Sequence, residues 1–332
     1  MATPNRISSR ELSQLTVAML VDNEVLAPGT SRFLKGQGDP KIANALRRLV
    51  SKVAIRTYSG VANMAAWLEK LKPDVVFNLT EHVNADRKKD SHICALLELL
   101  ELPYTGTGLK GLMLCRDKAI SKIIVEREGF KVPKFFVAGA SLPSEVTFPI
   151  VVKPRCDDAS IGISQASLVN TIQALKQRIA VLERAGIREI ICEEFIAGRE
   201  MLVGFVGNQV MPVREILVGR DSEMPPPIIS YRMKHDKPYQ RRWAMRTRFA
   251  QLTPGQESSL MERVLRTCEA LELRDYGRLD LKLTPAGEWV FLEANPNPLL
   301  YPFKGSRYGI WSAIEFDKLI EQVLFLALQR KQ

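Results

Sequence analysis

Apolar residues in the first 80 positions switch between strand-like runs and helix-like spacing. Leu15 to Val21 (LTVAMLV) is a short apolar run, Lys41 to Leu49 (KIANALRRL) is amphipathic at helical period, and Val53 to Tyr58 (VAIRTY) returns to strand character. Val61 to Leu71 has helical spacing, Pro73 punctuates, and Asp74 to Leu79 (DVVFNL) is a continuous apolar strand of the kind buried in parallel sheets. These repeated βα units predict an α/β fold whose N-terminal part is a doubly wound parallel sheet. Ligands of such sheets sit beyond the carboxyl ends of the strands, so Asp22 to Pro40 and Thr80 to Asp90 are expected to face a site.

Further along, Ser91 to Leu102 reads as a helix, Pro103-Tyr104-Thr105-Gly106 as a turn, and Asp117 to Glu128 as a helix closed by Gly129. Phe148 to Lys153 (FPIVVK), a helix from Leu168 to Ala185 and Glu189 to Phe195 (EIICEEF) form a second strand, helix, strand layer. After Gly198 come strands (MLVGFVG, QVMPVREILV), a basic and poorly periodic stretch, a helix from Glu257 to Leu271 and a hairpin, a mixed α+β pattern. The expected division is 1–106, 107–198 and 199–332.

The hairpin carries chemistry. Its strands are Arg278 to Thr284 and Trp289 to Asn295, around Pro285-Ala286-Gly287. Strand alternation places Arg278, Asp280 and Lys282 on one face and Leu279, Leu281 and Leu283 on the other. A loop of two or four residues sends Arg278, Asp280, Glu293 and Asn295 to one side, whereas a loop of three splits them. Two carboxylates, an amide oxygen and a guanidinium on one face suit Mg²⁺ shared with nucleotide phosphates, with Arg278 facing the transferred phosphoryl. The alternative is a solvated face with a surface Arg278/Asp280 pair worth at most about 1 kcal/mol. Regular alternation also puts Trp289 and Phe291 on the Glu293 side, which that alternative explains badly.

Lys153 ends an apolar strand, and a buried lysine there needs an anion. The loop Pro154 to Gly162 holds small residues, among them Ser160, that let backbone N–H groups approach a phosphate. An ordinary turn is the other reading. Glu193, Glu194, Ile196 and Glu200 stand at a strand end suited to an adenine and a ribose, or to nothing more than charged surface.

Composition narrows the class. With 46% hydrophobic and 25% charged residues the chain is globular rather than disordered. No apolar run nears the roughly 20 residues of a membrane span and no signal peptide is visible, so the expectation is a cytoplasmic protein without a membrane partner. Five scattered cysteines, none in C-x-x-C spacing, point to reduced core thiols. Forty-seven basic against 37 acidic residues give +10, which admits nucleic acid, a membrane surface or an anionic substrate. Basic residues are not interleaved with aromatics as single-strand binding requires, so no nucleic acid is expected.

In order, DVVFN, LELPYTG, DKAISK, FPIVVKP, CEEFIAGRE, a basic segment, GRLDLKL and FLEANPNP resemble the ATP-grasp superfamily, and within it the D-alanine:D-alanine ligase group, from about Leu15 to Phe325. The resemblance implies an ATP-grasp fold. It implies that Lys118 and Lys153 hold ATP phosphates, and that Glu193 and Ile196 lie at the adenine and Glu200 at the ribose. Asp280, Glu293 and Asn295 would be ligands of Mg²⁺, which Mn²⁺ can replace. Arg278 and Lys234 would stabilise the transferring phosphoryl. The implied reaction activates a carboxylate as an acyl phosphate, which an amine then displaces, giving an amide, ADP and phosphate. Substrates would be small and amino-acid-like, and the family's habit suggests a homodimer. A peptide or protein terminus as acceptor, and a non-catalytic nucleotide-binding or nucleic-acid-binding protein, are the alternatives.

The chain departs from those ligases where substrates bind. Asp158-Ala159-Ser160 replaces a Gly-Ser-Ser stretch, and His235 follows the lid lysine where the ligases have tyrosine. His235 is then a candidate proton acceptor for the attacking ammonium, which would make the rate fall below about pH 6.5. Glu24, His82, Lys304 and Ser306 are weaker substrate candidates. Arg232, Lys234, Lys237, Arg241, Arg242, Arg246 and Arg248 against Asp236 alone suit a lid over anions, or a solvated basic loop.

Overall fold

A computed structural model describes residues 9–22, 39–84, 86–139, 142–157, 160–219, 228–300 and 309–330. Glu24, Lys304 and Ser306 lie outside the described residues.

The first part runs α1 (Ser9–Leu12), β1 (Thr16–Val21), α2 (Asp39–Leu49), β2 (Lys52–Thr57), α3 (Val61–Leu71), β3 (Val75–Asn78) and α4 (Asp90–Leu99). Its strands pair in parallel in the order β2-β1-β3. Met19 and Val21 meet α2 on one face of the sheet, while Ala18 and Leu20 meet α3 and α4 on the other. Helices on both faces explain why these strands read as unbroken apolar runs. The Pro103 to Gly106 turn also extends this sheet, for Val76 donates to Pro103 O and accepts from Thr105 N.

Next come α5 (Leu109–Arg116), α6 (Lys118–Arg127), β4 (Phe135–Val137), β5 (Ile150–Pro154), β6 (Leu168–Val169), α7 (Ile172–Arg184) and β7 (Ile190–Glu194). Asp117 caps α6 by accepting from Ala119 N and Ile120 N, and Gly129 ends it with φ near 90°. The strands form an antiparallel sheet ordered β4-β7-β5-β6, covered by α7. The expected helix from Leu168 begins at Ile172, because Thr171 caps it and Leu168–Val169 pairs with β5.

The last part holds β8 (Arg199–Val206), β9 (Gln209–Val210), β10 (Arg214–Leu217), α8 (Tyr231–His235), α9 (Lys237–Arg242), β11 (Arg246–Phe249), α10 (Pro254–Ala270), β12 (Tyr276–Leu283), β13 (Trp289–Pro296) and α11 (Phe316–Gln329). Its antiparallel sheet runs β11-β10-β8-β12-β13, with β9 on β8. One face, with Val203, Phe205, Leu279, Leu281 and Phe291, packs on α10 and on Val125 of α6. The opposite face meets α11 at one end and carries polar residues along the rest.

Candidate functional site

The hairpin face is where the sequence predicts chemistry. Thr284 N donates to Glu288 O, so the connecting loop is Pro285-Ala286-Gly287. That is the three-residue loop expected to split the four polar residues. Leu283, Lys282 and Leu281 accordingly pair with Trp289, Val290 and Phe291, which puts both aromatics on the core side with Leu281 and Leu283. This corrects the expectation that Trp289 and Phe291 share the polar face. A β-bulge then restores the site: Leu292 is left unpaired, Asp280 pairs with Glu293, and Arg278 pairs with Asn295. One extra residue shifts the register by one and turns Glu293 and Asn295 to the side of Arg278 and Asp280.

That face is buried. Arg278 and Asp280 are 9% and 8% exposed, which excludes a solvated surface pair. The Arg278 guanidinium holds Asp280 through two hydrogen bonds, Nε to Oδ1 at 2.5 Å and Nη2 to Oδ2 at 3.0 Å. Burial raises the Asp280 pKa, and Arg278 offsets this only in part. Glu293 behaves oppositely. Burial alone would raise it, but Lys118, Lys153, Lys234 and Arg278 outweigh that and hold it at about 2. The Lys118 ammonium lies 4.0 Å from its Oε2.

A second cluster adjoins the first. Glu193, 3% exposed, directs its carboxylate at two lysines, Lys122 at 2.9 Å and Lys153 at 2.8 Å. Its side chain is therefore engaged with cations rather than turned to the strand end around Glu194 and Ile196. Burial pushes Lys153 down, yet Glu193 and Glu293 raise it above the ordinary lysine value. Lys122, absent from the sequence candidates, is fully buried and is brought down to about 8 by burial. Its signal was the spacing in DKAISK, one helical turn after Lys118.

Glu200 pairs with Lys282 at 3.2 Å, two residues along β12 from Asp280. Both line a cleft of about 550 Å³ with Gly198, Glu215, Ile229 and Leu283. Ser160 is buried with φ near 59°, and its carbonyl accepts from Ile163 N. The basic segment is docked here, since Tyr231 N donates to Ile163 O and Gln165 Nε2 to Ile228 O. Lys234 is half-buried and close enough to lower Glu293, whereas His235 is exposed and stacks on Tyr231 with ring centroids 4.2 Å apart. Several of the segment's cations have internal partners. Arg232 pairs with Asp236 at 2.9 Å and Arg248 with Glu215 at 2.9 Å.

His82 lies in the loop after β3. Its Nε2 is 3.4 Å from Asp22 Oδ2, and Asp22 Oδ1 accepts from the backbone N–H groups of Glu81 and His82. Asp22 thereby joins the carboxyl ends of β1 and β3, where the parallel sheet was expected to face a ligand.

Two carboxylates and an amide fit a hard divalent cation that shares its shell with phosphate oxygens. Among the described residues no three His, Cys, Asp or Glu gather for a metal. The fit is supported by Asp280 and Glu293 facing each other across the ladder, with Asn295 two residues on from Glu293 and opposite Arg278.

Residues 124–324 match the family described as D-ala D-ala ligase C-terminus, which is more than half of the chain. The chain belongs to this family. As a D-alanine:D-alanine ligase-like ATP-grasp ligase, it is 32% identical over 262 residues to the uncharacterized protein y4sG of Sinorhizobium fredii, covering 77% of this chain and 75% of that protein. It is 29% identical over 267 residues to the D-alanine--D-alanine ligase of Aquifex aeolicus, covering 77% and 84%. The crystal structure of the Bacillus anthracis D-alanine--D-alanine ligase complexed with ATP superposes with a TM-score of 0.72 over 96% of this chain and 98% of that one. At 18% identity, that superposition shows a shared fold. The family forms amide bonds, depends on ATP and uses a divalent metal. Among the described residues no helix is long and apolar enough to cross a membrane.

Proposed function

We propose that this chain joins two small amino-acid-like substrates through an amide bond, with Mg²⁺ as its working metal. The observation that carries the reading is the buried pairing of Arg278 with Asn295 and Asp280 with Glu293 on one face. Asp280, Glu293 and Asn295 would hold the metal, which supplies charge neutralisation at phosphate oxygens when bound. Lys118, Lys153 and Arg278 add fixed cations beside it, so much of the catalysis is positioning and electrostatics rather than acid and base chemistry. The cleft at Glu200 and Lys282 takes the ribose end. His235, exposed on the basic segment, would accept a proton from the incoming ammonium in this reading.

The substrates differ from D-alanine in this reading. Asp158-Ala159 and His235 replace residues that order the lid and the first amino acid in the D-alanine ligases. The test is ADP release over a panel of D- and L-amino acids, singly and in pairs, with mass spectrometry of each active mixture. A two-component requirement and an amide product are expected. ADP release with a single component and no amide would overturn the proposal.

A further inference from the structure

Lys122 is 0% exposed on α6, and neither phosphate nor metal reading above uses it. An ammonium has three donors and no acceptor, and a dry site must satisfy them. Two partners are visible. Nζ donates to Leu292 O at 2.6 Å and pairs with Glu193 Oε1 at 2.9 Å. Leu292 is the extra residue of the β13 bulge, and such a residue is left out of the ladder.

The bulge decides what the hairpin presents. Continued unbroken from Leu281 opposite Phe291, the ladder would set Asp280 against Leu292 and Arg278 against Ala294. Glu293 and Asn295 would then face the apolar core with Phe291. Nothing in the loop prevents that register, since its three residues favour it. A charged donor at the Leu292 carbonyl favours the bulged register instead, because the straight ladder would remove that carbonyl from Lys122.

We propose that Lys122 is a positioning residue, which holds the bulge at Leu292 and so keeps Glu293 and Asn295 on the metal face. This rests on the metal reading of Asp280, Glu293 and Asn295. The Lys122 ion pair is with Glu193 Oε1, while Lys153 holds Oε2 at 2.8 Å, so the phosphate lysine keeps its own partner when Lys122 is replaced. Lys122 acts through these groups and touches no substrate.

The test compares the full-length protein with Lys122→Met, with deletion of Leu292, and with both changes together. Mn²⁺ binding to each protein–ADP complex is read by electron paramagnetic resonance, and ADP affinity without metal by calorimetry. Lys122→Met is expected to weaken Mn²⁺ at least about tenfold while metal-free ADP binding changes less than about threefold. Deleting Leu292 joins Phe291 to Glu293, so an unbulged ladder already sets Glu293 against Asp280. The double variant is therefore expected to regain Mn²⁺ affinity. If Lys122→Met alone fails to fold, recovery of fold and Mn²⁺ binding in the double variant supports the assignment equally. Wild-type Mn²⁺ affinity in Lys122→Met, or loss that persists in the double variant, overturns it. A wild-type protein that binds no Mn²⁺ contradicts the metal reading itself, which separates the two failures.

Discussion

Glu215 shows how much of this protein's positive charge is spent internally. It is 3% exposed on β10, with Arg199 at 2.7 Å and Arg248 at 2.9 Å on its two oxygens. Arg199, with Arg248 behind it, holds its pKa below the ordinary carboxylate range. The folded pKa lies under the unfolded value of about 4.3, so the contribution is complete above that pH and fades as pH falls through the folded value. Glu215→Gln should cost about 1–3 kcal/mol at pH 7, discounted because both arginines are partly exposed. Urea unfolding from pH 7 to pH 3 should show the difference from wild type shrinking in acid. An unchanged difference at pH 3 would contradict this origin. At the same scale, Arg278 and Asp280 were legible because alternation along one strand is a local rule, whereas Glu293 and Asn295 reach that face only through the bulge and were legible as part of the FLEANPNP motif. Lys122 was overlooked, since its spacing from Lys118 puts both on one face of α6 but only the packed helix shows that this face is buried.

Among elements, the hairpin carries the site, and the turn before α5 clasps the hairpin's far end. Strand limits and alternation along β12 followed from the sequence, but the bulge did not, because it depends on a lysine from another element and leaves no local signature. The same holds for the contact between PYTG and ANPNP. Thr107 N donates to Asn297 Oδ1 at 2.7 Å, and Gly106 N to Asp275 Oδ2 at 2.6 Å. Gly106 has φ near 90°, and a Cβ there would lie 2.5 Å from Asn297 Oδ1. Gly106→Ala is thus expected to lose about 2–4 kcal/mol from backbone strain and overpacking together. Thermal unfolding checks this, and a loss below 1 kcal/mol would place the clasp's tolerance elsewhere.

Across the whole molecule, the chain's end stabilises its beginning. Leu319, Ile320, Val323 and Leu324 of α11 are buried in one core with Val17, Met19 and α2. Burying each such side chain contributes about 1.5–3 kcal/mol, so together they rival the net stability of a domain, about 5–15 kcal/mol. Arg330 adds a bond to Tyr104 O at 2.5 Å and a pair with Asp275. Removing residues 316–332 should therefore leave β1 unprotected in hydrogen exchange, while the β12–β13 hairpin keeps more of its protection. Equal loss in both would show one cooperative unit. This docking was hidden in the sequence because period and pattern identify a helix, not the distant sheet that it covers.

The central claim is that the bulged hairpin face binds the metal–nucleotide complex that drives ligation. Single-turnover ADP formation with the active substrate pair, in wild type and Glu293→Ala with and without Mg²⁺, tests it most directly. The account predicts Mg²⁺-dependent ADP in the wild type and a loss of about a hundredfold to a thousandfold in Glu293→Ala, with circular dichroism checking that the variant stays folded. ADP formation that survives Glu293→Ala, or that needs no divalent metal, would contradict it.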